Sequence, residues 1–416
     1  MALAGNGEEV AAAPGVDPHR TRLLGVDLAR CLAVLGMFVA HVGPHPREGG
    51  SGAALWIFHG FPSALFALLA GVSLALLTGG STPVGGADAR TARQRILLRA
   101  LLLFPLGLIL AALGTNVLII LCYYAIYFVL ALPLLWLRPL WLGLVTVVTA
   151  VGGPVLSFFI RGAVSPTSRP YEYGTFGGAD GDGLLALFLT GTYPALTWLP
   201  FVFAGVVLGR LDLRRLSITL WVGLTGAVVV AVGYGGSWLA STTFGARDRL
   251  YELLAGGSPG LLGPDPQLAP QAAEALDEMI RWGMLGTVPT DDPAWLSIAA
   301  PHSGTPFDVV GSTGVALLVV AVCLLLTRSG LLARLLSPLT AAGSMPLTIY
   351  SGHLLVLAMI GPIPDELEWP ILLGLMAVTV VCAFVWRRFL GRGPLEMVLH
   401  SFTTRVAPGR TDAHTP

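Results

Sequence analysis

Charge is scarce in this sequence, and one kind of charged group is missing. Only 12% of the 416 residues are charged, about half the share in an ordinary soluble domain. There is no lysine; all 24 basic residues are arginine. Mechanisms that need a lysine amine, such as a Schiff base or a P-loop, are therefore excluded. The arginine bias, with the excess of Ala, Gly, Leu and Val, reads as GC-rich codon usage and not as chemistry. A formal net charge of zero with no dense basic block excludes a nucleic-acid partner. Cysteine is also scarce. Cys31, Cys122, Cys323 and Cys382 each fall in an apolar run. None has a CxxC or Cys/His spacing, so neither a disulfide framework nor a metal site is expected. The polar stretch through Arg22 carries Glu8, Glu9 and Asp17 and has no apolar core before a cleavage site. No removable signal peptide is expected, and the first apolar segment is read as a retained span.

What the chain has instead is apolar length. Hydrophobic residues make up 54%, and the mean hydropathy is +0.76. No soluble chain of this size hides that much apolar surface, and disorder needs the opposite composition. A spanning helix needs about 20 apolar residues. Ten segments qualify: Leu24–Val42, Ala54–Leu77, Ile96–Leu113, Val117–Leu137, Leu140–Ile160, Leu184–Leu208, Leu216–Leu239, Val309–Thr327, Leu339–Ile360 and Pro370–Trp386. They are apolar all round, whereas barrel strands would alternate. The fold class that follows is all-α, a polytopic integral membrane helix bundle of about ten transmembrane helices, eleven at most. Gly114-Thr115-Asn116 between the third and fourth segments predicts a tight hairpin. Gly205-x-x-x-Gly209 is a small-residue packing pattern. No internal repeat stands out beyond a short likeness between Ala70–Leu74 and Ala204–Leu208.

Arginine placement sets the expected orientation. Arg20, Arg22, Arg90, Arg93, Arg95, Arg138, Arg210, Arg214, Arg215, Arg328, Arg334, Arg387, Arg388 and Arg392 fall on one set of loops. Most carboxylates fall on the other. The expectation is a multi-pass protein of the cell membrane with both termini cytoplasmic. Its parts are a tail over 1–22, a first membrane half over 23–210 with six spans, a second half over 211–400 with four, and a tail over 401–416. The second half contains a long outer loop, 240–308. In that loop Gln267–Leu285 reads as an amphipathic helix, either lying on the membrane surface or packed within the loop. The outer stretch Arg161–Gly183 is rich in Gly, Pro and Tyr and is expected to be irregular.

Ionisable residues inside spans are costly and are functional candidates. Asp27 and Arg30 share one face of the first span, as an ion pair or as a contact to a charged ligand. His41 closes that span, His45 follows, His59 lies in the outer part of the second, His302 precedes the eighth, and His353 lies in the ninth. Imidazole suits proton transfer near neutral pH. His41, His59, His302 and His353 are therefore the candidate general bases for activating a hydroxyl or amine. Asn116, Tyr123, Tyr124, Tyr193 and Trp198 are further polar or amphipathic groups near the boundaries. The ninth span carries Ser344, Thr348, Tyr350, Ser351 and His353, with Pro346 to kink it. A kinked, polar-faced span is what a binding cavity needs.

Arg22-Leu-Leu-Gly-Val-Asp27-Leu-Ala-Arg30 and Met37-Phe-Val-Ala-His41 resemble the opening of bacterial relatives of heparan-alpha-glucosaminide N-acetyltransferase. Ala64–Ser73 of the second span is similar to the same domain. Cys31 stands where that pattern has Gly, and His41 where the eukaryotic enzyme has Asn. The family's catalytic histidine follows the first span, the region that holds His45 and His59 here. The tail resembles a companion domain of unknown function in polytopic bacterial membrane proteins. Its marks are Gly343-Ser-Met-Pro-Leu-Thr348-Ile-Tyr350 and Gly393-Pro-Leu-Glu396.

The resemblance implies transfer of an acyl group, such as acetyl, from cytosolic acyl-CoA to an extracytoplasmic hydroxyl or amine, on a glycan or another envelope component. Asp27, Arg30, Arg93, Arg95 and Arg99 would then meet the acyl-CoA on the cationic face. The other partners implied are membrane lipid and, as an allowed assembly, a second copy of the chain. Two other classes fit the spans: a proton-coupled transporter or exporter, and an envelope assembly factor.

Overall fold

A computed structural model describes residues 22–46, 50–115, 117–164, 183–256 and 269–409. The N-terminal tail before Arg22, Asn116, the stretch 165–182 and the end of the C-terminal tail lie outside these residues. Among the described residues every regular element is a helix. The main ones are α1 (Leu24–Val42), α2 (Phe61–Leu77), α3 (Gly86–Ala111), α4 (Leu121–Ala131), α5 (Pro139–Val164), α6 (Ala195–Gly209) and α7 (Leu216–Thr242). Then follow α8 (Ala246–Gly256), α9 (Ala269–Trp282), α10 (Pro306–Leu326), α11 (Ser337–Gly343), α12 (Pro346–Ile360), α13 (Glu368–Phe389) and α14 (Pro394–Val406).

Seven helices among the described residues are long and apolar enough to cross a membrane, and up to nine spans result if each bent pair counts as one. The bent pairs are Gly183–Thr190 with α6, at 60°, and α11 with α12, at 83°. The fourth apolar segment, Val117–Leu137, folds as the shorter Leu121–Leu134, whose last turn tightens at Leu132-Pro133. At 1.5 Å per residue this reaches only about 21 Å, less than a bilayer core of about 30 Å. Each of the ten segments read from the sequence thus has a helical counterpart. The third and fourth segments pack on each other, with Gly107 of α3 against Cys122 of α4, but the link between the helices is the longer stretch from Ala112 to Ile120 and not the glycine triplet alone.

Three boundaries differ from the sequence reading. α3 starts ten residues before Ile96, because Asp88 to Arg95 continue the helix beyond the apolar part. α5 runs on to Val164, and Arg161 is buried in it, giving Nη1–H to the carbonyl of Val288 at 2.7 Å. His59 falls in a break between a 3₁₀ segment, Gly50–Phe58, and α2. Gly60 makes that break with φ +93°, and Pro62 starts the new helix.

α2 and α6 pack with their backbones almost touching. A Cβ at Gly205 would lie 1.8 Å from the carbonyl oxygen of Leu68, and one at Gly71 would lie 2.0 Å from that of Val202. The two similar pentapeptides therefore meet at their glycines, the close approach that small residues permit between membrane helices. α11 packs on α1 in the same manner, a Cβ at Gly343 falling 1.7 Å from the Asp27 carbonyl oxygen. Backbone atoms cannot yield as side-chain tips do, so Gly205→Val should cost more than the roughly 1–3 kcal/mol of ordinary overpacking. The expected result is loss of monodisperse protein in detergent size-exclusion chromatography, with Gly143→Val, a site open to space, behaving as wild type.

The long loop before α10 packs as a cap. α9 lies against α8, and Leu276 is buried with Phe158, Leu250, Val288, Trp295 and Ile298. This amphipathic helix thus packs its Leu276 face within the loop. The cap is tied to the segment before α10 by Met284 N–H to the Pro301 carbonyl and Gly286 N–H to the His302 carbonyl, each 2.8 Å.

Candidate functional site

α1 carries Asp27 and Arg30 at its start and His41 at its end, with about 20 Å of helix between the first and last of these. The bundle thus has an arginine end and a histidine end, and the sequence candidates sort between them.

At the histidine end, α1 stops at Val42 because Pro44 follows in the chain, and Gly43 N–H closes the last turn on the Val39 carbonyl. His353 comes from the second half of the broken α11–α12 pair and is buried. Pro346 removes an N–H at the break, and the carboxylate of Glu396 takes the N–H groups freed at Leu347 (2.7 Å) and Thr348 (3.2 Å). Thr348 Oγ1 donates to the same carboxylate at 2.5 Å. The two marks of the tail are therefore one device, a carboxylate that caps the broken helix carrying the histidine.

His41 Nδ1 and His353 Nε2 are 3.2 Å apart, with rings nearly parallel at 8°. Phe38, one turn before His41, lies under His353 at 4.7 Å between ring centres, and Tyr350 meets its edge at 5.3 Å. A cavity of about 40 Å³ opens beside His41, larger than the roughly 10–15 Å³ that one water needs. His41, Ser63, Tyr193, His302 and Tyr350 supply its polar wall, and Met37, Phe58 and Ile120 are among its apolar residues.

His302 approaches from the other side. It holds φ at +55°, the one non-glycine residue with positive φ among those described, a conformation that is uncommon outside glycine. Its ring stacks on Trp198 (22°) and meets Tyr193 edge-on. Its Nδ1 is buried with no hydrogen-bond partner among the described residues. Burial, with His59 adding to it, pushes His302 down to about 4, so the ring is neutral near pH 7 and keeps an accepting nitrogen. The segment is held from below by Asp308, which accepts Gly304 N–H and Ser312 Oγ–H at 3.1 Å each. His59 lies next to His45, at 5.3 Å between ring centres, and His45 in turn contacts Trp282 of the cap at 5.9 Å.

Tyr123 and Tyr124 are buried in the core. Phe66 stacks on both Tyr124 and Tyr350, at 5.5 and 6.2 Å between ring centres, and Tyr350 also lines the cavity.

The arginine end divides. Asp27 is buried between two guanidinium groups: Arg30 Nη1 donates to Oδ1 at 2.9 Å, and Arg22 Nε donates to Oδ2. Arg30 also donates to Ser73 Oγ at 2.9 Å. Of the two sequence readings for Asp27 and Arg30, the ion pair is the geometry found. Arg93 lies elsewhere, over the Trp136 ring at 4.4 Å. Arg95 donates to the Ala407 carbonyl at 2.9 Å, and Arg99 lies within electrostatic reach of Arg95 and Arg392. Of the five residues expected to bind acyl-CoA, the structure groups Asp27 with Arg30 and Arg95 with Arg99, and sets Arg93 apart.

Sequence reading missed the carbonyl cage of Arg210. This buried side chain donates to the carbonyls of Ala75 (3.2 Å), Gly80 (2.7 Å) and Leu135 (2.5 Å). It looked like one more arginine of the orientation bias. It closes the C-terminal turn of α2 instead, and no local pattern distinguishes the two.

Fold and site define an all-helical bundle of the membrane type with a histidine-lined cavity near one end. Residues 273–406, less than half the chain, match the family described as "Protein of unknown function (DUF418)". The match agrees with the likeness of the tail to a domain of unknown function. It takes in His302, His353 and Glu396 and stops short of α1 and α2. Among curated proteins none matches this chain.

Proposed function

We propose that this protein is an integral membrane acyltransferase, with cytosolic acyl-CoA as donor and an extracytoplasmic hydroxyl or amine, on a glycan or envelope component, as acceptor. The observation that carries the reading is the His41–His353 contact, with His41 also lining a cavity that His302, Tyr193 and Tyr350 share. The arginine end is read as cytoplasmic and both termini with it. One imidazole takes the proton of the acceptor O–H or N–H as that atom attacks the thioester carbonyl. The tetrahedral oxyanion collapses, the C–S bond breaks, and the imidazolium returns the proton to the leaving thiolate. His302 and the Tyr193 and Tyr350 hydroxyls are positioned to orient acceptor or oxyanion.

A second reading, a proton-coupled transporter, draws on the stacked rings of Phe66, Tyr124 and Tyr350 inside the bundle. A solute path would be closed there in one state and open in another.

Purified protein in liposomes, given acetyl-CoA with a labelled acetyl group and a panel of amino sugars and envelope glycans, tests the choice. Label transfer to an acceptor supports the enzyme. Absence of transfer to every acceptor, together with proton-coupled solute uptake, overturns it in favour of the transporter.

A further inference from the structure

The arginine end carries positive charge that its own carboxylates do not balance. Asp27 is used by Arg22 and Arg30. Glu396 is used by the backbone and hydroxyl of the α12 start. Three further guanidinium groups lie within electrostatic reach of them or of one another: Arg99 from α3, Arg387 from the last turn of α13, and Arg392 from the link to α14. Arg392 acts electrostatically on both Arg99 and Arg387, and Arg387 also feels Arg22 and Asp27. None of the three has a carboxylate within ion-pair distance among the described residues. The Nε of Arg99 is buried with no hydrogen-bond partner there.

The inside-positive bias accounts for arginines whose head groups sit in water. It does not account for a guanidinium N–H enclosed by protein beside two like charges. Such an arrangement is costly unless an anion completes it. A guanidinium presents its donors in a planar fork that matches phosphate oxygens.

We infer that Arg99, Arg387 and Arg392 form a binding site for a phosphate ester, built jointly by α3 and the α13–α14 link. Its two sources are a soluble phosphate ester such as coenzyme A and the headgroup of an anionic lipid. The soluble source rests on the acyl-transfer reading; the site itself does not. Arg30 and Arg93, both expected at such a site from the sequence, are left out, since Arg30 is engaged by Asp27 and Ser73 and Arg93 by Trp136.

The test uses the full chain in nanodiscs. In neutral phosphatidylcholine discs, coenzyme A is titrated calorimetrically; in a parallel arm, the thermal midpoint is compared between phosphatidylcholine and phosphatidylglycerol discs. A soluble source gives saturable coenzyme A binding that weakens about tenfold in Arg99→Gln and in Arg392→Gln, the size of one lost charged hydrogen bond, and that falls further with salt. A lipid source gives a higher midpoint in phosphatidylglycerol that both variants abolish. Arg392 is exposed, so its variant stays folded even where Arg99→Gln does not. Arg90→Gln, an exposed arginine outside the cluster, leaves either signal unchanged. The proposal is overturned where wild type shows neither signal, or where both variants keep it undiminished. Phosphate-ester binding without acyl transfer leaves this site standing and removes the enzyme.

Discussion

On the proposed function, His353→Ala is expected to abolish acyl transfer while the protein stays folded. General-base catalysis contributes about 10²–10⁴-fold, so kcat with labelled acetyl-CoA should fall by at least about a hundredfold, the thermal midpoint shifting little by comparison. His41→Ala should fall by a similar factor, because the two rings act as one unit across 3.2 Å. The double variant should then be hardly worse than either single one, as residues of one catalytic unit are far from additive. His45→Ala is the control: His45 is exposed and lies against His59 and against Trp282 of the cap. Full activity in His353→Ala would refute the assignment. His353→Gln separates the roles further. It keeps a hydrogen-bonding side chain of similar length but cannot take a proton, so a merely structural His353 would be rescued by it and a base would not.

The second large effect is on stability. Asp27→Ala leaves the Arg30 guanidinium largely buried beside Ser73 with its counter-charge gone. Breaking one side of a buried ion pair costs about 3–5 kcal/mol. The expected result is a large drop in thermal midpoint, or failure to extract folded protein. Arg22, the other partner, is a third exposed and can turn to water. Asp27→Leu combined with Arg30→Met should recover most of the loss, since apolar residues of similar size replace buried pairs at little cost. Such recovery, with histidine-end activity retained, would mark the pair as an anchor of α1. An Asp27→Ala protein as stable as wild type would refute that role.

Much of the architecture was legible because it is local. Apolar length located each helix, although the α3–α4 link runs from Ala112 to Ile120 and is longer than the Gly114 triplet suggested. The i, i+3 spacing of Asp27 and Arg30 put both charges on one face. Pro346 marked the helix break, although its size, 83°, depends on Glu396 waiting nearly 50 residues later to take the freed N–H groups. The candidate bases were legible only as a set of histidines near one boundary. That His41 meets His353, and that His302 closes the cavity from the segment before α10, is set by packing across some 300 residues. Gly205-x-x-x-Gly209 was one weak pattern in a chain of 52 glycines. Its meaning came from Gly71 on the facing helix.

The arginines show the division most clearly. They read as one cationic face, since the inside-positive bias acts on each loop separately and carries no information about partners. In the folded chain they differ: Arg30 is neutralised by Asp27, Arg93 is spread over Trp136, Arg210 is enclosed by carbonyls, and Arg99 is left with Arg392. The sequence by itself determined that this is an all-helical bundle of the membrane type with opposed charged ends, because hydropathy and charge bias are properties of each segment alone. Only the tertiary structure decided which histidines touch and which arginines stay uncompensated, because a side chain's partners are chosen by helix packing and not by its neighbours in the chain.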